Sequence, residues 1–365
     1  MQWLLLILLI PYFYLLLRIF ISLGKIEPQK PLSDSEIFLS VIVACRNEER
    51  NLPSLLSDIA SQDYNCDKFE LIVVDDNSDD STFEIASEFK EIKNIKVLKN
   101  SASGKKTAIY EGVRACTGGI VITTDADCRM SRNWLKTISS AWSENNPDLI
   151  IGPVGLDGGK GFFQRFQELE FLSLQGVTAG TAAAGNPVMC NGANLSFTVN
   201  AYLKSFEDLH PELVSGDDIF LLHSIKKRSG KVLWLESEDA AITARPALTP
   251  LAFVRQRARW ISKSGSYDDK YTKLLAIVTF VTILIQIFLL AAGVFSSLFL
   301  LIYIAGFILK SIPDFMVLHN RAVHNKRKNL LWFFLPGQFI YPFYVLSVVI
   351  CYLFTRSRYI NHSNR

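Results

Sequence analysis

Apolar positions crowd both ends of the chain and thin out between them. The opening run MQWLLLILLIPYFYLLLRIFIS is apolar apart from Gln2, Arg18 and Ser22. At about 1.5 Å rise per residue it is long enough to cross the hydrocarbon of a bilayer. No basic region precedes it and no small-x-small pattern follows, so it reads as a transmembrane anchor over 1–24 and not as a cleaved signal. Leu274 to Leu309 is too long an apolar run for one span, and Gly293, Ser296 and Ser297 place a turn within it. This predicts a transmembrane helical hairpin over 272–310. Lys310, Arg321, Lys326, Arg327 and Lys328 fall in the loop that follows, and Asp314, His319 and His324 are placed near that loop, outside the spans. The apolar stretch 330–354 contains Pro336, Gly337 and Pro342 and fits either a kinked span or a re-entrant segment.

The interior, 36–248, has a different rhythm. Short β-branched runs at Phe38–Ala44, Leu71–Val74, Ile95–Leu98 and Gly119–Thr123 alternate with helix-like segments at Glu48–Gln62, Ser81–Lys90 and Lys105–Ala115. Short buried strands alternating with helices predict an α/β domain with a mainly parallel sheet. Such sheets bind ligands at the carboxyl ends of their strands. Asp75, Asp76, Asp125 and Asp127 fall at those ends.

Charge and cysteine content narrow the class. Lys plus Arg number 38 against 35 Asp plus Glu, a net charge of +3, which lacks the electrostatic footprint of a nucleic-acid binder. The six cysteines form no CxxC pair, which argues against a disulfide framework or a zinc site and for reduced thiols. Basic residues follow the first span (Arg18, Lys25, Lys30), so the positive-inside rule places the domain in the cytoplasm of an integral protein of the cell (plasma or inner) membrane. Arg356, Arg358 and Arg365 in the tail also favour a cytoplasmic end, at odds with a complete final span.

The acidic clusters admit two readings. Asp-Asn-Ser-Asp is ordinary turn and N-cap chemistry, with Asp79 or Ser81 as the cap. Two such clusters at neighbouring strand ends repel one another unless a cation or hydrogen-bond donors are present, and Asp-x-Asp offers hard oxygen ligands to Mg²⁺ or Mn²⁺. Ser103 to Thr107 (SGKKT) is a turn opening a helix, where lysines and free N–H groups suit a phosphate, although the P-loop spacing is absent. Asp217 and Asp218 precede a helix-like run and would complement its dipole whatever else they do. Gln256, Arg259 and Trp260 share one face at i, i+3, i+4, on a segment (249–268) that also reads as a basic amphipathic helix at a membrane surface. Arg259 can donate paired hydrogen bonds to a diphosphate, and Trp260 can stack on a sugar ring. The aromatic stretch Phe162–Phe171 and the small-residue stretch Gly176–Gly185 fit an acceptor entry or plain packing equally.

In chain order, VIVACRNEE (41–49), VDDNS (74–78), GKKTA (104–108), TDAD (124–127), NGAN (191–194), GDD (216–218) and QRARW (256–260) resemble the motif series of the family 2 glycosyltransferases. The likeness is to their membrane-bound branch, which holds cellulose, chitin and hyaluronan synthases and ceramide glucosyltransferase. It covers about Ser40 to Ser264 and implies a GT-A-type nucleotide-sugar-binding fold. It further implies that Glu48 and Asp76 contact the uracil and ribose of a UDP-sugar, with Lys105 nearby. Asp125 would approach the donor's ribose or sugar, and Asp127 would ligate Mg²⁺ or Mn²⁺. Gln256, Arg259 and Trp260 would serve the donor too. Asp218 aligns with the catalytic base, while Asp217 replaces the usual Glu and its role is undefined. The function implied is an inverting, metal-dependent transfer of sugar from a nucleotide donor to a lipid-linked or glycan acceptor at the membrane. A processive polysaccharide synthase is the alternative within the class; a catalytically inactive membrane scaffold or transporter is the alternative outside it.

Overall fold

The computed structural model describes residues 2–30, 37–210, 213 and 215–355; Arg356, Arg358 and Arg365 of the basic tail lie outside the described residues. The chain divides into two compact units, one from Met1–Ile26, Gly158–Val188 and Pro246–Ser357, the other from Glu27–Asp157 and Met189–Arg245.

The second unit is the α/β domain. Its strands are β1 (Leu39–Cys45), β2 (Phe69–Asp75), β3 (Ile95–Lys99), β4 (Ile120–Thr124), β5 (Arg129–Met130), β6 (Leu149–Ile151), β7 (Val154–Leu156), β8 (Leu195–Thr198), β9 (Val232–Trp234) and β10 (Ile242–Ala244). Seven form one sheet in the order β3-β2-β1-β4-β8-β6-β9, and β5-β10-β7 form a second. β1, β2, β3 and β4 run parallel, whereas β8 is antiparallel to both its neighbours. Every residue of β2 is buried, Glu70 and Asp75 included, and its centre, Leu71–Val74, therefore reads as an apolar run with no alternation. Successive strands proceed outward from β1 to β2 and β3, and then β4 returns to the other side of β1. The order reverses at β1, so the topological switch point, where such sheets bind ligands, lies between the loops after β1 and β4.

Helices α2 (Leu52–Ala60), α3 (Thr82–Glu88), α4 (Lys105–Ala115), α5 (Trp134–Asn145), α7 (Val199–Ser205) and α8 (Asp217–Lys227) belong to the same unit. α2 begins well after the expected Glu48. Residues 47–49 instead lace onto the loop after β2: Asn47 N donates to Ser78 Oγ at 2.9 Å and Asp79 N to Asn47 Oδ1 at 2.8 Å. Asn47 and Asn77 both take positive φ there, at 56° and 57°. Neither expected cap acts: Ser81 stands at the N-cap of α3 without a side-chain bond, and Asp80 accepts from the Thr82 amide at 3.0 Å.

The first unit is helical, with α1 (Ile10–Leu23), α6 (Phe162–Ala183), α9 (Pro250–Ile261), α10 (Lys270–Gly293), α11 (Ser297–His324) and α12 (Phe334–Thr355). Four helices, over Trp3–Leu23, Lys270–Gly293, Ser297–His324 and Lys328–Thr355, are long and apolar enough to cross a membrane. Two expectations shift here. Lys310, expected in a loop, lies inside α11 at 2% exposure, because Asp314 Oδ2 and Gln338 Oε1 accept from its ammonium at 2.6 and 2.7 Å and Tyr12 donates to Asp314 at 2.6 Å. His319 and His324 likewise belong to α11. The segment 158–188, expected within the α/β domain, joins the helical unit instead. The small residues of α6 explain this: a Cβ on Gly180 would sit 2.8 Å from the Ile19 carbonyl oxygen, and one on Gly176 2.6 Å from Val317 Cγ1. α6 therefore packs against α1 and α11 at a distance only glycine allows.

Candidate active site

The loop after β2 starts the site. Asp75 and Asp76 are 3% and 8% exposed. Asp75 Oδ2 accepts from the Ser78 amide at 3.3 Å, and its Oδ1 has no hydrogen-bond partner among the described residues. Asp76 accepts the Gly104 amide on both oxygens, at 2.8 and 3.0 Å, and Asn100 Nδ2 at 2.6 Å. Asn100 also donates to Gly104 O and Thr107 Oγ1 at 3.2 and 3.0 Å. Gly104 has φ +111°, a conformation that other residues adopt only under strain, and it is the N-cap of α4. Asp76 and Asn100 thus brace the turn that presents Lys105.

Lys105 pairs with Asp125, the first acid after β4, and both side chains are partly exposed. Burial disfavours the ammonium, but the carboxylates of Asp125, Asp217 and Asp218 outweigh it and raise its pKa above the ordinary lysine value. Asp127 is pushed above the usual carboxylate range, first by burial and then by the charge of Asp125; Lys105 and Arg245 act in the opposite direction. Glu48 is also raised, mainly by burial, with Asp127, Asp125 and Asp80 adding to it and a hydrogen bond from Asn51 opposing. Burial and Asp75 push the Cys45 thiol up to about 12, so it is no nucleophile at neutral pH.

Asp218 sits at the start of α8. Its Oδ1 accepts from the Ile219 amide at 2.8 Å and its Oδ2 from the Gly192 amide at 3.2 Å. Thr123 on β4 holds the Gly192 carbonyl at 2.7 Å, which ties this loop to the strand that ends in the Asp125–Asp127 turn. Asp217 Oδ2 lies 3.9 Å from the position a Gly192 Cβ would take. Asn194 of the same motif is buried and structural, accepting from Trp134 Nε1 and donating to Pro153 O and Ala240 O.

The α/β unit therefore brings Lys105 within electrostatic reach of Asp125, Asp127, Asp217 and Asp218, and Glu48 within reach of Asp125 and Asp127, with Asp76 bracing the turn before Lys105. Gln256, Arg259 and Trp260 lie on α9 in the helical unit. There Gln256 Oε1 accepts from Arg257 Nη1 at 2.7 Å, Arg259 is exposed, and Trp260 lies beneath the Arg257 guanidinium, 4.0 Å from ring centroid to Cζ. Three contributors escape a sequence reading. Asn100 and Arg245 sit in no patterned motif, and Arg257 reads as one more surface cation of a basic helix. Among the described residues no group of three or more His, Cys, Asp or Glu side chains is arranged to hold a metal ion. The hard oxygens of Asp125 and Asp127 suit Mg²⁺ or Mn²⁺ when a diphosphate supplies the remaining ligands.

A mainly parallel sheet with acids at its switch point and a lysine at a helix start is an arrangement suited to a phosphate-bearing ligand. Residues 40–200 match the family model described as glycosyl transferase family 2. Glycosyltransferase AglE of Haloferax volcanii is 29% identical over 189 residues, 50% of this chain and 59% of that protein. Beta-monoglucosyldiacylglycerol synthase of Trichormus variabilis is 33% identical over 111 residues, 29% of this chain and 24% of that one. The chain thus spans less than two thirds of the length of these relatives. The mannosyltransferase PcManGT of Pyrobaculum calidifontis, solved with GDP-Man and Mn²⁺, shares the fold with a TM-score of 0.59 at 17% identity, over 97% of this chain and 99% of that one. The fold is GT-A-like.

Proposed function

We propose that the protein is an inverting, metal-dependent glycosyltransferase that moves a sugar from a nucleotide donor, UDP-linked in the leading form, to a lipid-linked or other membrane-proximal acceptor. The observation that carries this is Lys105, paired with Asp125 and held in the field of Asp217 and Asp218 beside the sheet's switch point.

Lys105 and the first amides of α4 bind the donor diphosphate and neutralise the charge that grows on it as the glycosidic C–O bond breaks. Glu48 and Asp76 take the nucleoside side, and Asp125 the ribose or sugar. Asp218 is the base. Two backbone amides orient its carboxylate, which takes the proton of the acceptor hydroxyl as that oxygen bonds the anomeric carbon. Attack from the face opposite the diphosphate inverts the configuration. A divalent cation on Asp127 and the donor phosphates would add Lewis-acid neutralisation of the leaving group. Gln256, Arg259 and Trp260 keep the donor-side role that the family resemblance implies.

The four apolar helices support an integral membrane protein, and Lys25 and Lys30 after the first one support a cytoplasmic domain. The mannosyltransferase of like fold binds GDP-Man, so the donor screen spans UDP- and GDP-sugars. The detergent-solubilised chain is assayed for nucleotide release with lipid acceptors, with Mg²⁺, Mn²⁺ or chelator. Release from one donor, abolished by chelator and by Asp218→Asn and reduced by Asp127→Ala, supports the reading. Unchanged release in both variants sinks the catalytic assignment.

A further inference from the structure

Helix α6 carries buried polar side chains to which the catalytic reading gives no task. Gln167 is 1% exposed and Glu170 7%, one turn apart on the same helix face. Gln167 grips the backbone just before α9: its Nε2 donates to Ala247 O at 3.0 Å, and the Ala247 amide donates to its Oε1 at 3.0 Å. Glu170 grips α9 itself. Arg257 donates Nε to Glu170 Oε1 at 3.1 Å and Nη2 to Oε2 at 2.6 Å, and the Tyr344 hydroxyl adds a third bond at 3.1 Å. Arg257 then reaches the motif residues on either side of it. Its Nη1 holds Gln256 Oε1 at 2.7 Å, and its guanidinium lies over Trp260 at 4.0 Å and Phe253 at 4.6 Å.

An amphipathic helix seated only by its apolar face can slide and roll, because apolar contact is non-directional. Two polar attachments to one neighbouring helix remove both freedoms. The bidentate Arg–carboxylate pair fixes the roll, and the amide pair at Ala247 fixes the axial position. Burying such groups costs desolvation, and their best-attested use is to specify one geometry.

We propose that Gln167, Glu170 and Arg257 form a mount that sets the pose of α9 and, through Arg257, the side chains of Gln256 and Trp260. They are positioning residues, and the part of the proposal that concerns turnover rests on the glycosyltransferase reading. The mount itself is read from backbone motion. Gln167→Ala and Arg257→Lys are compared with Thr178→Ala, a buried α6 substitution in the helix's other half whose hydroxyl bonds only within α6. Hydrogen–deuterium exchange of the full chain in detergent is followed over 249–261. Faster exchange there in Gln167→Ala and Arg257→Lys, absent in Thr178→Ala, supports the mount; equal exchange in all three overturns it. For turnover, kcat in Gln167→Ala and Arg257→Lys is expected to fall at least about tenfold with a smaller change in donor KM, as small misplacements of reacting groups do, while Thr178→Ala keeps the wild-type kcat. Loosened exchange with unchanged kcat overturns the positioning role. Absence of turnover in the wild type itself overturns the catalytic reading, and the exchange result still decides the mount.

Discussion

Asp76→Ala tests whether this carboxylate works on the donor or on the turn behind it. Asp76 holds two donors, the Gly104 amide and Asn100 Nδ2, with a shortest contact of 2.6 Å. Hydrogen bonds to an ionised, buried acceptor contribute about 1.5–3 kcal/mol each. Alanine therefore removes roughly 3–5 kcal/mol from the closed form of the 100–104 turn, partly offset by the chain entropy an open turn regains. A shift of that size moves the closed-to-open ratio by at least about a hundredfold, so Lys105 is no longer held where α4 begins. Donor KM is expected to rise about tenfold or more, since the cost falls on a binding element.

Asn100→Ala supplies the contrast. Asn100 has no donor role in the proposed mechanism, yet it removes one of the same bonds together with the contacts to Gly104 O and Thr107. It should raise donor KM by a smaller factor in the same direction, and the double variant should be little worse than Asp76→Ala, with a coupling of about 1–2 kcal/mol. The assay is nucleotide release over a donor titration, with thermal unfolding in parallel to confirm that each variant is folded. A wild-type KM in Asn100→Ala beside a large rise in Asp76→Ala would refute the bracing argument and leave Asp76 as a direct donor ligand.

Glu70 is 2% exposed and accepts from Ser40, Lys96 and both the amide and hydroxyl of Thr117. Burial pushes its pKa up, but these four donors prevail and hold it below its ordinary value of 4.5. Its stabilisation is thus complete above that value and lost as pH falls through the lower folded value; Glu70→Gln should flatten the fall in Tm below about pH 5, and an unchanged Tm–pH curve counts against the network. Gly180→Ala puts a methyl 2.8 Å from the Ile19 carbonyl oxygen, so the helical unit should lose about 1–3 kcal/mol, read as a lower Tm in detergent. Removing one partner of the Lys310–Asp314 pair should cost about 3–5 kcal/mol, and Lys310→Met with Asp314→Leu together should recover much of it; a double variant less stable than either single would contradict the buried-pair argument.

The chain's local patterns carry much of the fold. β1, β2 and β4 are legible because strands buried on both faces have apolar, β-branched centres with no polar alternation, and α4 because its helix begins at a glycine-marked turn. The acids were legible as a set because parallel strands place all their carboxyl ends on one edge. The first span and the hairpin follow from length and hydropathy, whereas 330–354 reads equally as a kinked span or a re-entrant segment until the fold places it in one helical stretch, Lys328–Thr355, long enough to cross a membrane.

Tertiary structure decided what depends on partners far away in the chain. Glu170 looks like any helix-surface acid until Arg257, 87 positions on, meets it in a buried pair. Lys310 reads as a loop cation until a carboxylate one turn away and a glutamine from α12 allow it to be buried. The membership of α6 in the helical unit, the antiparallel β8 within a parallel sheet, and the brace formed by Asp76 and Asn100 have the same origin. Propensity and periodicity report each residue's immediate neighbours along the chain. The cost of burying a polar group is met only by the particular group that folding brings against it.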